Sequence, residues 1–384
     1  MRTCLLRAGL SRCKEISAFV LGSPRAWLGI AYHEVLETIA RVSCEPELLD
    51  STVDNLWNHA VAKQFQRAVS HPLNRRFGSP ETWPGYHVAR ASVHLRAHEI
   101  AGSGTCKSNR HSAASGVSSV REKTFAVSDG RLVGRPDVVR GSEILDYKTG
   151  DIFEDGENAS EPELKSSYVR QLRLYAFIAG SALSIPIRRG TLVPLTGQPV
   201  EVELDESSCR DEAQAALARL DLYNERVSVG VSPEDLAAPS PDACSFCPFQ
   251  VICPALWKTV NDTWFGKLDG ELLRGAVAED LKQLMGGRAF ALAVVTQNGT
   301  LKPGRLELFP LALDMHHDLS TVKAGDWIRI TGLSRRLDGT VFPSNRTVTI
   351  KESKVPRIKT DPADKGGARS AAPTGRPGHT DANS

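Results

Sequence analysis

The chain of 384 residues is longer than one ordinary compact domain and short for a motor enzyme, so two domains with appendages are expected. Its 41% hydrophobic and 24% charged residues are the profile of a globular protein, which argues against a disordered or membrane-embedded chain, and no apolar run reaches the length of a spanning helix. The 47 Lys and Arg against 45 Asp and Glu leave a net charge of +2, which neither demands nor forbids a nucleic-acid partner, because a local patch can hide in a balanced total.

The first twenty-odd residues are basic and acid-poor, with Arg2, Arg7, Arg12 and Lys14 facing only Glu15, as in an organelle transit peptide. No run of small residues leads to a cleavage site, however, and eight cysteines without a secretory leader read as metal ligands and buried thiols of a reducing, cytoplasmic compartment. Apolar residues at helical spacing then predict helices over Ser23–Val42, carrying His33, over Asp50–Val69 and over Tyr86–Ile100. From Ala101 to Ser119 the Gly, Ser, Asn and Thr content predicts a surface loop.

Strands are predicted over Glu122–Val127 and Leu132–Val139, joined at Ser128-Asp129-Gly130, and over Glu143–Tyr147, giving a three-strand meander. The helix Ser166–Ala179 follows, with Gln171 and Tyr175 four apart on one face. Short β-rich runs from about Leu268 to Lys351 predict a small barrel, and the Pro-, Gly- and Ser-rich end predicts a disordered tail. The expected division is 1–258, 259–354 and 355–384.

Two constellations carry chemistry. In the first, Asp137 of GRPDVV precedes Asp146-Tyr147-Lys148 of ILDYKTG, and a strand places Asp146 and Lys148 on one face. Phosphodiester hydrolysis needs an activated water and neutralisation of developing charge. Mg²⁺ takes only one or two protein carboxylates, which Asp137 and Asp146 supply, leaving Lys148 to orient water and stabilise charge. In the second, Cys244, Cys247 and Cys253 have C-x₂-C-x₅-C spacing, which suits zinc or an iron-sulfur cluster.

Taken singly, each element has an ordinary structural explanation: an Asp-x-Lys surface pair, a satisfied helical histidine, a half-buried helix face. As an ordered set they resemble the PD-(D/E)XK nuclease superfamily, and within it the RecB-like branch with an iron-sulfur cluster, similar to the CRISPR-associated exonuclease group. The Gly-Arg-x-Asp and Asp-x-Lys-Thr-Gly strands carry the resemblance. So do Gly29-Ile-Ala-Tyr-His33 on an early helix and Gln171-x-x-x-Tyr175 after the lysine.

The fold so implied is α/β, a restriction-endonuclease-like core with a mixed sheet flanked by helices, followed by a small all-β OB-like barrel. The resemblance implies Mg²⁺ or Mn²⁺ at His33, Asp137, Asp146 and Tyr147, catalysis by Lys148 with Gln171 and Tyr175, and a more peripheral Glu122. It also implies a 4Fe-4S cluster on Cys244, Cys247, Cys253 and Cys4, with Cys13 as rival and Cys44, Cys106 and Cys209 less suited by position. Such a cluster closes more than two hundred residues into a loop.

In the barrel, Trp327, Arg329, Arg335 and Arg336 are candidate nucleic-acid contacts, although a strand tryptophan serves a core equally well. The implied activity is a metal-dependent DNA exonuclease acting on ends or single strands in repair, recombination or defence. A non-catalytic nucleic-acid-binding scaffold and a cluster-gated redox-sensing binder are the alternatives of other classes. No G-x-x-x-x-G-K-[ST] loop is present, so unwinding would fall to a separate helicase or motor partner.

Overall fold

The computed structural model describes residues 4–42, 45–102, 119–154 and 162–358. Four helices open the chain: α1 (Leu5–Leu10), α2 (Pro24–Arg41), α3 (Leu49–Ser70) and α4 (Tyr86–Gly102). Ser23 caps α2 by accepting from the Ala26 N–H at 3.4 Å, and Pro24 at the first position sacrifices only an N–H that has no helical partner. Leu28, Tyr32, Val35, Leu36 and Ile39 then bury one stripe of α2 against Trp57 of α3 and Val93 of α4.

Five short strands follow: β1 (Ser119–Arg121), β2 (Phe125–Val127), β3 (Leu132–Gly134), β4 (Val138–Arg140) and β5 (Glu143–Lys148). The predicted meander is corrected here. Its second strand is broken at Arg135-Pro136-Asp137, because proline has no N–H to give a ladder. As a result β2 and β3 form a separate hairpin, while β4 joins the main sheet between β1 and β5.

Helix α5 (Ser166–Leu183), strands β6 (Arg189–Pro194) and β7 (Val200–Glu203) and helix α6 (Glu206–Ser228) complete this layer system. The sheet order is β1-β4-β5-β6-β7, with β5 and β6 parallel and the other pairs antiparallel, so it is mixed. Along β5, Tyr147 packs with the α2–α4 cluster, whereas Ile144 packs with Leu172 and Ala176 of α5. The sheet is therefore covered on both faces, and β5 is its central strand in both sequence and burial.

Three short helices, α7 (Pro233–Leu236), α8 (Pro241–Cys244) and α9 (Pro254–Thr259), lead into seven strands. These are β8 (Glu271–Val277), β9 (Lys282–Leu284), β10 (Ala289–Gly299), β11 (Gly304–Ala312), β12 (Trp327–Arg335), β13 (Val341–Phe342) and β14 (Val348–Lys351). They form an antiparallel sheet, β11-β10-β8-β12, with β14 and β13 both paired to β12 and β9 to β10. β12 pairs with β8 along one edge and with β14 and β13 along the other, and its register with β8 shifts between Ile330 and Leu333, where Gly332 takes φ +72° against the Arg346 carbonyl, a kink that a side chain would obstruct. The result is a curled half-barrel.

The half-barrel docks on the first part of the chain. Val348 and Ile350 of β14 lie in one cluster with Leu6, Ile16, Tyr223 and Phe249, and Arg76 donates to the carbonyls of Thr347 and Met315. Val355 and Ile358 also pack there, so the tail expected from 355 is ordered to 358, and its remainder lies outside the described residues. Most of the loop expected over Ala101–Ser119 also lies outside them; Ala101 and Gly102 end α4, and Ser119 opens β1.

Arg329 takes a different place from the solvent-facing one expected of a nucleic-acid contact. Its side chain is 11% exposed, its Nη2 donates to Glu352 Oε1 at 2.8 Å, and its Nη1 donates to the Val251 carbonyl at 3.4 Å. The burial pattern of β12 turns this residue inward, toward Trp257 and the preceding loop. Glu352 also receives Arg274 at 3.0 Å, so one carboxylate holds two guanidiniums. Glu352→Ala is expected to strand Arg329 without a counter-charge and to lower the unfolding free energy by about 3 kcal/mol. The urea midpoint measures this, and Glu352→Gln should lose less.

Candidate active site

The registers of three neighbouring strands fix the level of the acidic groups. Arg121 of β1 pairs with Val138 of β4, and Val138 pairs with Leu145 of β5. One residue further, Glu122, Asp137 and Asp146 therefore stand abreast on adjacent strands. The Glu122 N–H donates to the Asp137 carbonyl at 2.9 Å, and the Tyr147 N–H donates to Asp137 Oδ2 at 2.6 Å. Asp137 and Asp146 are buried, at 8% and 3% exposure, so their charges face little water.

Helix α2 brings His33 over this row. Its Nδ1 lies 3.4 Å from Asp137 Oδ1 and 3.5 Å from Glu122 Oε1. His33, Glu122 and Asp137 offer ligand atoms within 4.8 Å of one another, the one such set of three or more among the described residues. Glu122, expected at the periphery, thus stands inside the cluster. Asp146 is not that close to all three and is ion-paired to Lys148, yet it is near enough to raise the pKa of both His33 and Asp137.

Burial foremost, then Asp146 and Glu122, pushes the Asp137 carboxyl up to about 7 against the opposing pull of His33. Burial works against charge on His33, but the Glu122 hydrogen bond and the Asp137, Glu122 and Asp146 charges prevail, and its pKa is raised. Arg135 closes the outer side, its Nε 2.7 Å from Glu122 Oε2 and an Nη 3.2 Å from Glu37 Oε2. A crowd of acids that holds protons near neutrality suits a divalent cation, which supplies the missing positive charge.

The other side of the row belongs to Lys148. Its ammonium pairs with Asp146, donates to Gln171 Oε1 at 2.7 Å and sits 4.7 Å from the Tyr168 ring centroid. Gln171 Nε2 in turn donates to the Tyr175 hydroxyl at 3.0 Å. Tyr168, Gln171 and Tyr175 share one face of α5, so the helix period aims all three at the end of β5. Gln171 and Tyr175 thereby position Lys148. Arg135 belongs to the Gly-Arg-x-Asp run that marked the site in the sequence, although no role was read for it there, and Tyr168 went unnoticed, since it stands at no recognisable spacing from an acid.

Gly29 explains its own place four residues before His33. A Cβ there would stand 2.9 Å from Thr149 Oγ1, just after Lys148, so any side chain at 29 must displace that hydroxyl if α2 is to approach the strand exit this closely.

The cysteines gather elsewhere. Cys244 ends α8, Cys253 caps α9, and Cys4 precedes α1. Burial raises the pKa of Cys244 to about 11 and of Cys253 to about 12, with Cys247 also raised, and Cys4 adds to all three shifts. Cys13 instead donates its thiol to Glu15 at 3.1 Å. Cys209 is buried on α6, while Cys44 and Cys106 lie outside the described residues. On the half-barrel, Arg335 pairs with Glu271 at 3.1 Å and lies 5.2 Å from the Phe265 ring, Arg336 lies 5.2 Å from the Phe342 ring, and half-buried Trp327 lies 4.8 Å from Arg274.

The row Pro136-Asp137, Asp146-x-Lys148 on a mixed sheet between helical layers defines a class of nucleic-acid-cleaving proteins. The family model of the PD-(D/E)XK nuclease superfamily matches residues 1–254, and the chain belongs to that superfamily. Its members are generally metal-dependent nucleases that use cations such as Mg²⁺ or Mn²⁺, and they act on DNA. No curated protein matches the chain. No helix among the described residues is long and apolar enough to cross a membrane.

Two outcomes follow from this geometry. Gly29→Ala is expected to cost about 1–2 kcal/mol of stability through the Thr149 clash, and adding Thr149→Ala should recover most of it, a coupling measured by a double-mutant cycle in urea. A cation must displace the proton of Asp137, so Mn²⁺ affinity should rise about tenfold from pH 6 to pH 8, on the side where the carboxyl is ionised. Calorimetric titration at the two pH values checks this.

Proposed function

We propose that the protein is a metal-dependent deoxyribonuclease, an exonuclease acting on DNA ends or single strands. The observation that carries this reading is the row of Glu122, Asp137 and Asp146 with His33 on one flank and Lys148 on the other. Costly buried charges of this kind, arranged to converge, are poorly explained by a scaffold that only binds.

In this reading His33, Glu122 and Asp137 hold the cation, with Asp146 completing the set and the Tyr147 backbone keeping Asp137 in place. The cation supplies Lewis acidity and a more acidic bound water. Lys148 is held by Asp146, Gln171 and Tyr168 with its ammonium at the carboxylate row. There it orients the attacking water and donates to the scissile phosphate as negative charge accumulates. Gln171 fixes the ammonium in one direction and Tyr175 fixes Gln171. Arg135 neutralises the outer oxygen of Glu122 and keeps its inner one turned to His33.

The cysteines support a 4Fe-4S cluster on Cys4, Cys244, Cys247 and Cys253. Cys4 is favoured over Cys13 because each of the other three thiols senses Cys4, while Cys13 is engaged with Glu15. The cluster's role is to fasten α1 to the α8–α9 loop.

The order β11-β10-β8-β12-β14, all antiparallel, supports an OB-like reading of the half-barrel, with strands one, two, three, four and five being β8, β10, β11, β12 and β14. Unwinding of duplex substrates is assigned to a separate motor protein.

End-labelled single- and double-stranded DNA, linear and circular, incubated with Mg²⁺ or Mn²⁺ tests the activity. Lys148→Ala should lower the cleavage rate about 10²- to 10³-fold, with DNA binding retained. Cleavage that is independent of Lys148, or absent from wild type on every substrate, overturns the assignment. Anaerobically purified protein should show broad visible absorption that Cys253→Ser removes; a colourless, zinc-loaded wild type would replace the cluster by a zinc clasp.

A further inference from the structure

Two cavities outside the carboxylate row meet end to end. One, of about 560 Å³, starts at Thr149-Gly150, directly after Lys148, and runs to Arg25 and Pro84. The other, of about 680 Å³, starts from the same Arg25 and Pro84 and runs past Phe246 to Thr331 and Asn345 of the half-barrel. Together they make one groove from the end of the catalytic strand to the C-terminal sheet.

Its charge favours a polyanion. Arg7, Arg25 and Arg346 line its walls against two acids, Asp269, which pairs with Arg346, and Asp151, which accepts from the Phe153 N–H at 3.0 Å and keeps its charge. Arg25 is exposed and has no ion-pair partner among the described residues. It lies in the first turn of the eighteen-residue α2, whose N-terminal end, also lining the groove, adds positive potential. Arg7 lines the far part.

Phe246 supplies the other half of the argument. It sits between Cys244 and Cys247 with 74% of its surface exposed, a large apolar ring held out from a loop that is otherwise pinned. Gln250 pins that loop by donating to the Cys244 carbonyl at 2.7 Å, and Trp257 by donating to the Gln250 carbonyl at 2.9 Å. A rigid exposed ring beside unpaired guanidinium groups is the combination that binds single-stranded nucleic acid, since an unpaired base stacks on it and a paired base cannot.

We propose that a single DNA strand lies in this groove, with phosphates at Arg25 and the start of α2 and a base stacked on Phe246, between the exit of β5 and the half-barrel. The assignment rests on the nuclease reading for the direction of the strand, but its binding test does not require cleavage. Fluorescence anisotropy of labelled oligo-dT is measured in EDTA with the full chain, alongside a duplex of the same length, for wild type, Arg25→Ala, Phe246→Ala and Phe246→Trp.

Arg25→Ala should weaken single-strand binding about fivefold and reduce the salt dependence by about one phosphate contact. Phe246→Ala should weaken it about tenfold and Phe246→Trp should restore it, with melting temperatures and visible absorption unchanged throughout. Wild-type affinity in both alanine variants, equal losses on duplex, or no binding by wild type overturns the groove. If the variants behave as expected but no cation supports cleavage, the groove stands and the nuclease reading fails. If cleavage is found and the variants bind as wild type, the groove fails alone.

Discussion

Three carboxylates abreast on adjacent strands repel one another, and burial strengthens that repulsion by removing water. Glu122, Asp137 and Asp146 are tolerated because every neighbouring element answers them: His33 from α2, Lys148 from β5, Arg135 from the broken strand and the Tyr147 N–H. Much of the surrounding structure serves to hold those answering groups. The α2–α4 cluster fixes the helix that carries His33, and α5 fixes the ammonium of Lys148 through Gln171. A cation brought to this site meets ligands that are already oriented, so little ordering remains to be done when it binds.

The sheet makes this possible by sharing its work between two faces. Tyr147 packs toward the α2–α4 layer and Ile144 toward α5, so β5 is gripped from both sides, and Asp146 and Lys148 emerge at its C-terminal end. Pro136 contributes by breaking the preceding strand. The break frees Asp137 to turn its carboxylate to the Tyr147 N–H and sends the β2–β3 hairpin onto α5. A continuous strand there would have kept the ladder and misplaced the acid.

The remainder of the molecule is tied to this core at one seam. Val348 and Ile350 of the half-barrel share a cluster with Leu6 and Phe249, and Arg329 reaches the Val251 carbonyl beside the cysteines. The cysteine loop therefore touches α1, α9 and the half-barrel together. Closing it with a cluster would fasten a segment near residue 4 to one near residue 253, where loop-closure entropy makes such a tie most effective.

Local pattern and short-range spacing determined a good deal by themselves. Helical periodicity gave α2 through α5 nearly at their observed ends, and Asp146 and Lys148 were bound to share a face by the strand period. What tertiary structure decided is what depends on residues far apart in the chain. Glu122 reaches the row only through strand registers that no local spacing encodes, and Tyr168 reaches Lys148 only because α5 crosses the end of β5. Arg329, polar and set in a β-strand, looked like a ligand contact, yet its face of β12 turns toward Glu352 and Trp257. Helix α6 and strands β6 and β7 were likewise unmarked, because their apolar patterns are completed by partners across the core. A side chain's local period fixes the face it occupies on its own element; what that face meets is set by long-range packing.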